Sequence, residues 1–381
     1  ALLDLDDMSA SVVDDRQYRR SLYTASGHIV VLGSGGDLLA LPGEPSAAAA
    51  ATPETVLTNV ADGSDPTGYM HASVSSSGTL VYSPLDASKR SLVQVDRTGR
   101  SEAMPAPQAN YVEANVSPDG RNAVVTSDMT LLVHDLSRGS VRPLAPELRE
   151  EWKGQWTPDG SRIVFASNQE GNWDIYSKAA SGAGNAELLF DGPFDVDPTS
   201  VMRDGTVVFE ESHDKTASDI WLLPPGGEPQ PWLVTPTAER QGRVSPDDRV
   251  MAFTSFLSGR IEVYVQPIDR SSDAVPVSTR GGTGPVWSRS GDRLFFRQGR
   301  LLMAASIVSR PRLEVGTPEV VFDAGWELAQ DTAASYFTIN YDALPDGRFL
   351  MVRNDPAASQ TRINVIFNWF EELNRLVPLE R

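Results

Sequence analysis

The chain has 381 residues, 40% of them hydrophobic, with 13 Phe, 9 Tyr and 8 Trp beside 30 Gly and 27 Pro, enough apolar side chain for a core in a fold of short strands and turns. It contains no cysteine, which excludes disulfides, thiolate catalysis and Cys-ligated zinc. A formal charge of −18 excludes a nucleic-acid surface, because phosphate binding needs a positive field.

At the N-terminus, residues 1–20 hold two short apolar patches, 2–5 and Val12-Val13. No run long enough to cross a bilayer follows, so no membrane insertion is expected. The first repeating feature is a tight turn, clearest at Thr157-Pro158-Asp159-Gly160. Pro fixes φ at the first corner, Asp bonds back to the backbone, and Gly takes the left-handed position. The same turn recurs at Gly27, Gly78, Gly120, Gly160, Gly205, Asp248 (in place of Gly), Gly291 and Gly347, at steps of 40 to 56 residues. An apolar strand follows each turn, as in Ile163-Val164-Phe165 or Leu294-Phe295-Phe296.

A period of about 40–45 residues holding about four strands marks a propeller blade, since one such sheet cannot bury both faces alone and must stack on neighbours. The expected fold is all-β: a single propeller domain over 1–381 with eight four-stranded antiparallel blades, or seven if the weakly marked first repeat merges with the terminal strand. The expected blades cover 18–58, 69–105, 111–145, 152–190, 195–234, 239–278, 283–322 and 336–367. An N-terminal strand is expected to complete the last blade and close the ring. Residues 368–378 read as a short helix, with Asn368 as N-cap, Glu371 completing a capping box, and Trp369, Phe370, Leu373, Leu376 and Val377 on one face.

If the strand before each turn is innermost, its start faces one mouth of the axial channel, where propellers hold ligands. The lining candidates are then His71, Glu113, Trp152, Lys153, Asp195, Asp197, Glu239, Arg240 and Thr283. Asp195-Val196-Asp197 and the loop 168–174 carry oxygen ligands at short spacing, so calcium is the one metal considered, with Asp195 and Asp197 first. Turn-forming and strand-capping acids are commoner in such repeats. The sequence contains no Gly-x-Ser-x-Gly elbow, no His-Glu-x-x-His and no phosphate loop ending in Gly-Lys-Ser/Thr, and no catalytic residue is assigned.

Several phrases carry a resemblance: Val95-Asp96-Arg97-Thr98-Gly99-Arg100, Ser117-Pro118-Asp119-Gly120-Arg121, Ser258-Gly259-Arg260-Ile261, Arg280-Gly281-Gly282-Thr283-Gly284-Pro285-Val286-Trp287 and the ending Asn368-Trp369-Phe370-Glu371-Glu372-Leu373. They resemble the Pro-Asp type of WD40-like repeat, the TolB-like class, and the C-terminal propeller of bacterial eukaryotic-type serine/threonine kinases. The resemblance implies a non-catalytic sensor, ligand-binding or protein-docking module for a protein, peptide or small molecule, periplasmic or extracellular and without a cofactor. Kinase motifs are missing from the sequence. The alternatives are a hydrolase or lyase with a metal or carboxylates in the channel, and a self-assembling structural subunit. Two turns depart from the pattern, Met202-Arg203-Asp204-Gly205 and Ser288-Arg289-Ser290-Gly291.

Overall fold

The computed structural model describes residues 2–3, 10–11, 20–32, 37–44, 47–48, 51–58, 60, 72–83, 90–213, 217–324, 338–354 and 363–379. Among them, strands form eight antiparallel sheets of three to five strands and one two-stranded pair. The sheets are as many as the repeats counted from the turns, although repeats two and eight each contribute strands to two of them. The contacts divide the chain into two compact units, Ser88–Asp355 and the combined segments Ala1–Ala87 and Pro356–Arg381, where the sequence reading treated 1–381 as one domain.

The turns form as their residues dictate. Gly160, at φ 70°, donates its amide to the Thr157 carbonyl at 2.8 Å, and Asp159 accepts the Ser161 amide at 3.0 Å and the Thr157 hydroxyl at 2.6 Å. Those donors lower the pKa of Asp159 to about 2. The strand after this turn, Arg162–Ser167, is buried on both faces. Ile163 and Phe165 pack into one core, while Val164 packs into the next.

That alternation builds the unit Ser88–Asp355. Its sheets start with the strands Tyr111–Val116, Glu151–Trp156, Val196–Val201, Glu239–Val244, Thr283–Trp287 and Tyr341–Ala343. Each sheet shares a core with the next, and the sixth shares cores with both the fifth and the first. Six sheets therefore close on themselves.

The closing strand is not the expected one. Leu2–Leu3 pairs with Ala10–Ser11 in the other unit. Closure comes from Phe349–Asn354 pairing with Arg90–Val95 over six residue pairs, so two strands from the end of this unit and two from its beginning complete one sheet. The physical reason lies in Arg90–Val95, where Leu92 faces one neighbouring core and Val93 and Val95 the other. A strand apolar on both faces needs cover on both. The second and eighth repeats are consequently shared between units: Ala72–Val74, Leu80–Tyr82 and Asn364–Ile366 form a separate sheet. Leu350 is fully buried in the closing core with Leu92 and Val352. Leu350→Ala is expected to cost about 2–5 kcal/mol in urea unfolding; a loss below about 1 kcal/mol would show that this seam does not carry the ring.

In the other unit, the four-stranded sheet Arg20–Tyr23, His28–Leu32, Leu38–Pro42 and Glu54–Leu57 and the three-stranded sheet share a core with the C-terminal helix. The helix runs Trp369–Leu376 and, with Val377 just past its end, buries Trp369 and Leu373 against Val30, Leu38 and Leu80, the apolar face expected from its spacing. Its start differs from the expected capping box: Asn368 is left-handed at φ 57° and makes no side-chain cap bond. The Trp369 amide instead donates to the Gly78 carbonyl at 2.8 Å.

Candidate ligand-binding cavity

In the unit Ser88–Asp355, five of the six innermost strands contain a bulge, with register shifts between Tyr111 and Glu113, Trp152 and Gln155, Pro198 and Ser200, Arg240 and Arg243, and Thr283 and Val286. A bulge bends the strand and re-aims the residues after it. Lys153, Gln241 and Gly284 occupy equivalent bulge positions, all left-handed, at φ 52°, 57° and 62°. Gly154 follows because a Cβ there would meet Val124 of the neighbouring sheet at 2.7 Å.

Past the bulges, the strand ends surround a cavity of about 340 Å³. Asn115, Gln155, Ser200, Arg243, Val286 and Asp342 line it, each five residues before its turn glycine or the Asp248 that replaces one. Trp156 and Trp287 form part of the wall and brace it: the Trp156 indole donates to the Asn115 carbonyl at 3.0 Å, and the Trp287 indole to the Arg243 carbonyl at 2.9 Å. Tyr341 donates its hydroxyl to the Gly284 carbonyl at 2.7 Å, and burial pushes its pKa well above the usual phenol range.

The rim is built by the turns. Pro118, Pro158 and Pro246 stand there, with Arg203 and Arg289 in the prolines' place. Arg289 donates to the Ala343 and Val116 carbonyls, both at 3.1 Å, and lies 3.4 Å from Asp342. Asp342 accepts the Val116 amide at 2.7 Å and the Ala343 amide at 2.8 Å, fastening the sixth sheet to the first.

Beneath the cavity lies a charged throat. The Lys153 ammonium, 3% exposed, is 3.2 Å from Asp197 and 3.9 Å from Glu210, and Arg240 is 3.5 Å from Glu210. Arg243 donates to Gln155 Oε1 at 2.5 Å and lies 3.8 Å from Glu113. Asn115 donates to the same Gln155 oxygen at 3.0 Å. Burial raises the pKa of Glu113 to about 7 against the opposing pull of Lys153 and Arg243. Burial pulls Lys153 down, but Asp197, Glu210 and Glu113 together more than offset it, leaving its pKa above the ordinary lysine value.

The residues singled out from the sequence divide accordingly. Glu113, Lys153, Asp197 and Arg240 come together in the throat. His71 lies outside the described residues. Trp152 is half-buried opposite Ala166, and Thr283 sits opposite Arg297. Glu239 is buried on the hydroxyls of Thr235, Thr237 and Ser255, and Asp195 accepts the Trp173 amide at 3.0 Å. Asp174, at the end of the loop 168–174, is buried and accepts the Gly192 amide. Among the described residues, no group of three or more His, Cys, Asp or Glu side chains could hold a metal ion. The sequence reading missed Asn115, Gln155, Ser200, Arg243 and Asp342, together with Arg203 and Arg289 at the rim. Their constant offset from the turn was the available signal.

No family model matches the chain. Over 86 residues it is 37% identical to the Tol-Pal system protein TolB of Anaeromyxobacter dehalogenans and 36% identical to that of a second strain. Each match covers 22% of this chain and 20% of the relative, so the chain spans about a fifth of the length of the curated relatives it matches. Among solved structures, one described as TolB from Agrobacterium tumefaciens superposes with a TM-score of 0.57 at 21% identity, covering 71% of this chain and 99% of that one. TolB from Acinetobacter baumannii gives a TM-score of 0.47 at 16% identity, covering 77% of this chain and 81% of that one. The fold of this chain is that of a TolB-like β-propeller.

Proposed function

We propose that the chain is a non-catalytic docking module that takes a protein segment or peptide into the cavity of the unit Ser88–Asp355. The observation that carries this reading is the wall itself: braced tryptophans and turn prolines enclose about 340 Å³ over a floor of amide, hydroxyl and guanidinium groups. A preformed concave site, its walls of tryptophan and proline set among many polar side chains, binds without first ordering loops. In the throat Lys153 pairs with Asp197 and Glu210, and Glu113 with Arg243, a geometry that positions charge rather than exposing an acid–base pair to substrate. The sequence relatives are named for the Tol-Pal system, which supports a protein partner and a periplasmic or extracellular location. No cofactor enters this reading.

The test is selection from a phage-displayed peptide library on the full chain, followed by rebinding to Ser200→Trp. Ser200 lines the cavity, and an indole there would fill much of it. Enriched peptides are expected to bind Ser200→Trp at least about tenfold more weakly, the loss of roughly one well-placed contact. Equal binding to the blocked variant, or no enrichment, would overturn the reading.

A further inference from the structure

We infer that the ligand entering this cavity presents a carboxylate, from an acidic side chain or a peptide C-terminus, and that Arg243 receives it with Arg203 at the rim. The inference rests on the docking reading above and names the chemistry of what docks.

Three observations carry it. In a chain of net charge −18, three guanidinium groups, those of Arg203, Arg243 and Arg289, line a single cavity. Two of them stand where the other four turns of the unit Ser88–Asp355 place proline, at Pro118, Pro158, Pro246 and Pro345. The cavity's own acids are already occupied: Asp342 holds the Val116 and Ala343 amides, and Asp248 accepts the Arg203 amide at 2.9 Å.

The arginines, by contrast, keep unspent capacity. Arg203 is exposed, and its guanidinium acts on the Asp248 carboxylate through space rather than through an ion pair or hydrogen bond among the described residues. Arg243 has a side chain 13% exposed; it uses Nη1 on Gln155 and approaches Glu113 no nearer than 3.8 Å. Burial holds the Glu113 pKa near 7, so around neutral pH that carboxyl only partly offsets the Arg243 charge. Guanidinium and carboxylate form paired, charge-assisted hydrogen bonds, about twice as strong as neutral ones, and a partly desolvated site strengthens them further. Arg289 is committed to two backbone carbonyls and acts as the fixed side of the mouth.

The experiment is fluorescence polarisation on the full chain at low salt with three dye-labelled pools of random uncharged hexapeptides: free C-terminus, amidated C-terminus, and amidated with one fixed internal Glu. At least one carboxylate-bearing pool is expected to bind about tenfold or more tightly than the neutral amidated pool. Which pool shows the gain identifies the terminal or the side-chain source. Arg203→Gln and Arg243→Gln should each shrink that preference, and 0.5 M salt should do the same without any substitution. Equal binding of all three pools overturns the inference. If Ser200→Trp abolishes binding of all pools and no pool is preferred, the cavity reading survives and the carboxylate does not. Binding that persists on Ser200→Trp removes both.

Discussion

Lys153→Met is expected to destabilise the unit Ser88–Asp355 by about 3 kcal/mol, the low end of the cost of breaking a buried charge pair. Methionine keeps most of the volume of the side chain but removes the cation between Asp197 and Glu210, 3.2 and 3.9 Å away. Glu210 is 2% exposed and would retain Arg240 and the Gln241 amide. Those remaining partners are why the low end applies. The loss should be greater at pH 8 than at pH 5, because a carboxyl left without its cation can protonate at the lower pH. Urea unfolding at the two pH values tests this. A deficit below about 1 kcal/mol, or one independent of pH, would mean that the throat is wetter than its burial implies. Lys153→Gly separates backbone from charge: it relieves the left-handed φ of 52° while losing the same cation.

Glu113→Gln is expected to stabilise the protein at alkaline pH. Burial raises the pKa of Glu113 from 4.5 to about 7 in the folded state, so its contribution to stability is fully present below pH 4.5 and is lost as pH rises through 7. That span corresponds to roughly 3 kcal/mol at full loss. Glutamine stays neutral, so the variant should unfold later than the parent at pH 8.5 and show a flatter decline from pH 5. Glu151 is likewise raised to about 7, chiefly by burial, and gives a second decline over the same window. The double variant with Glu151→Gln should therefore be flatter still. Parallel stability curves for parent and Glu113→Gln would sink the assignment.

The repeat was legible because it is written in local chemistry. A Pro-Asp-Gly turn and the apolar strand after it need no distant partner to be recognised, and six of the eight repeats each form a sheet of their own, while the second and eighth combine into two. The helix face of Trp369, Leu373 and Val377 was legible for the same reason. Its cap was not, because the Trp369 amide is satisfied by Gly78, about 290 residues earlier in the chain, and no local pattern reports such a bond.

The candidate site was half legible. Glu113, Lys153, Asp197 and Arg240 were picked by their place before a turn, and they do meet. Asp195 and Glu239 were picked by the same rule but are spent on loop and strand-end bonds. Asp195 lies just before the strand Val196–Val201 while Asp197 is within it, and Glu239 and Arg240 are consecutive strand residues, which point to opposite faces.

The sequence by itself determined the all-β class, the repeat, its turns and the acidic, cysteine-free surface, all of which follow from composition and from contacts spanning a few residues. Tertiary structure decided which strands close the six-sheet unit. Pairing Phe349–Asn354 with Arg90–Val95 joins segments some 260 residues apart, and it prevails because it covers a strand apolar on both faces. It also decided the cavity: Arg203, Arg243 and Arg289 come from three different repeats and become one site when the sheets stack around a common axis.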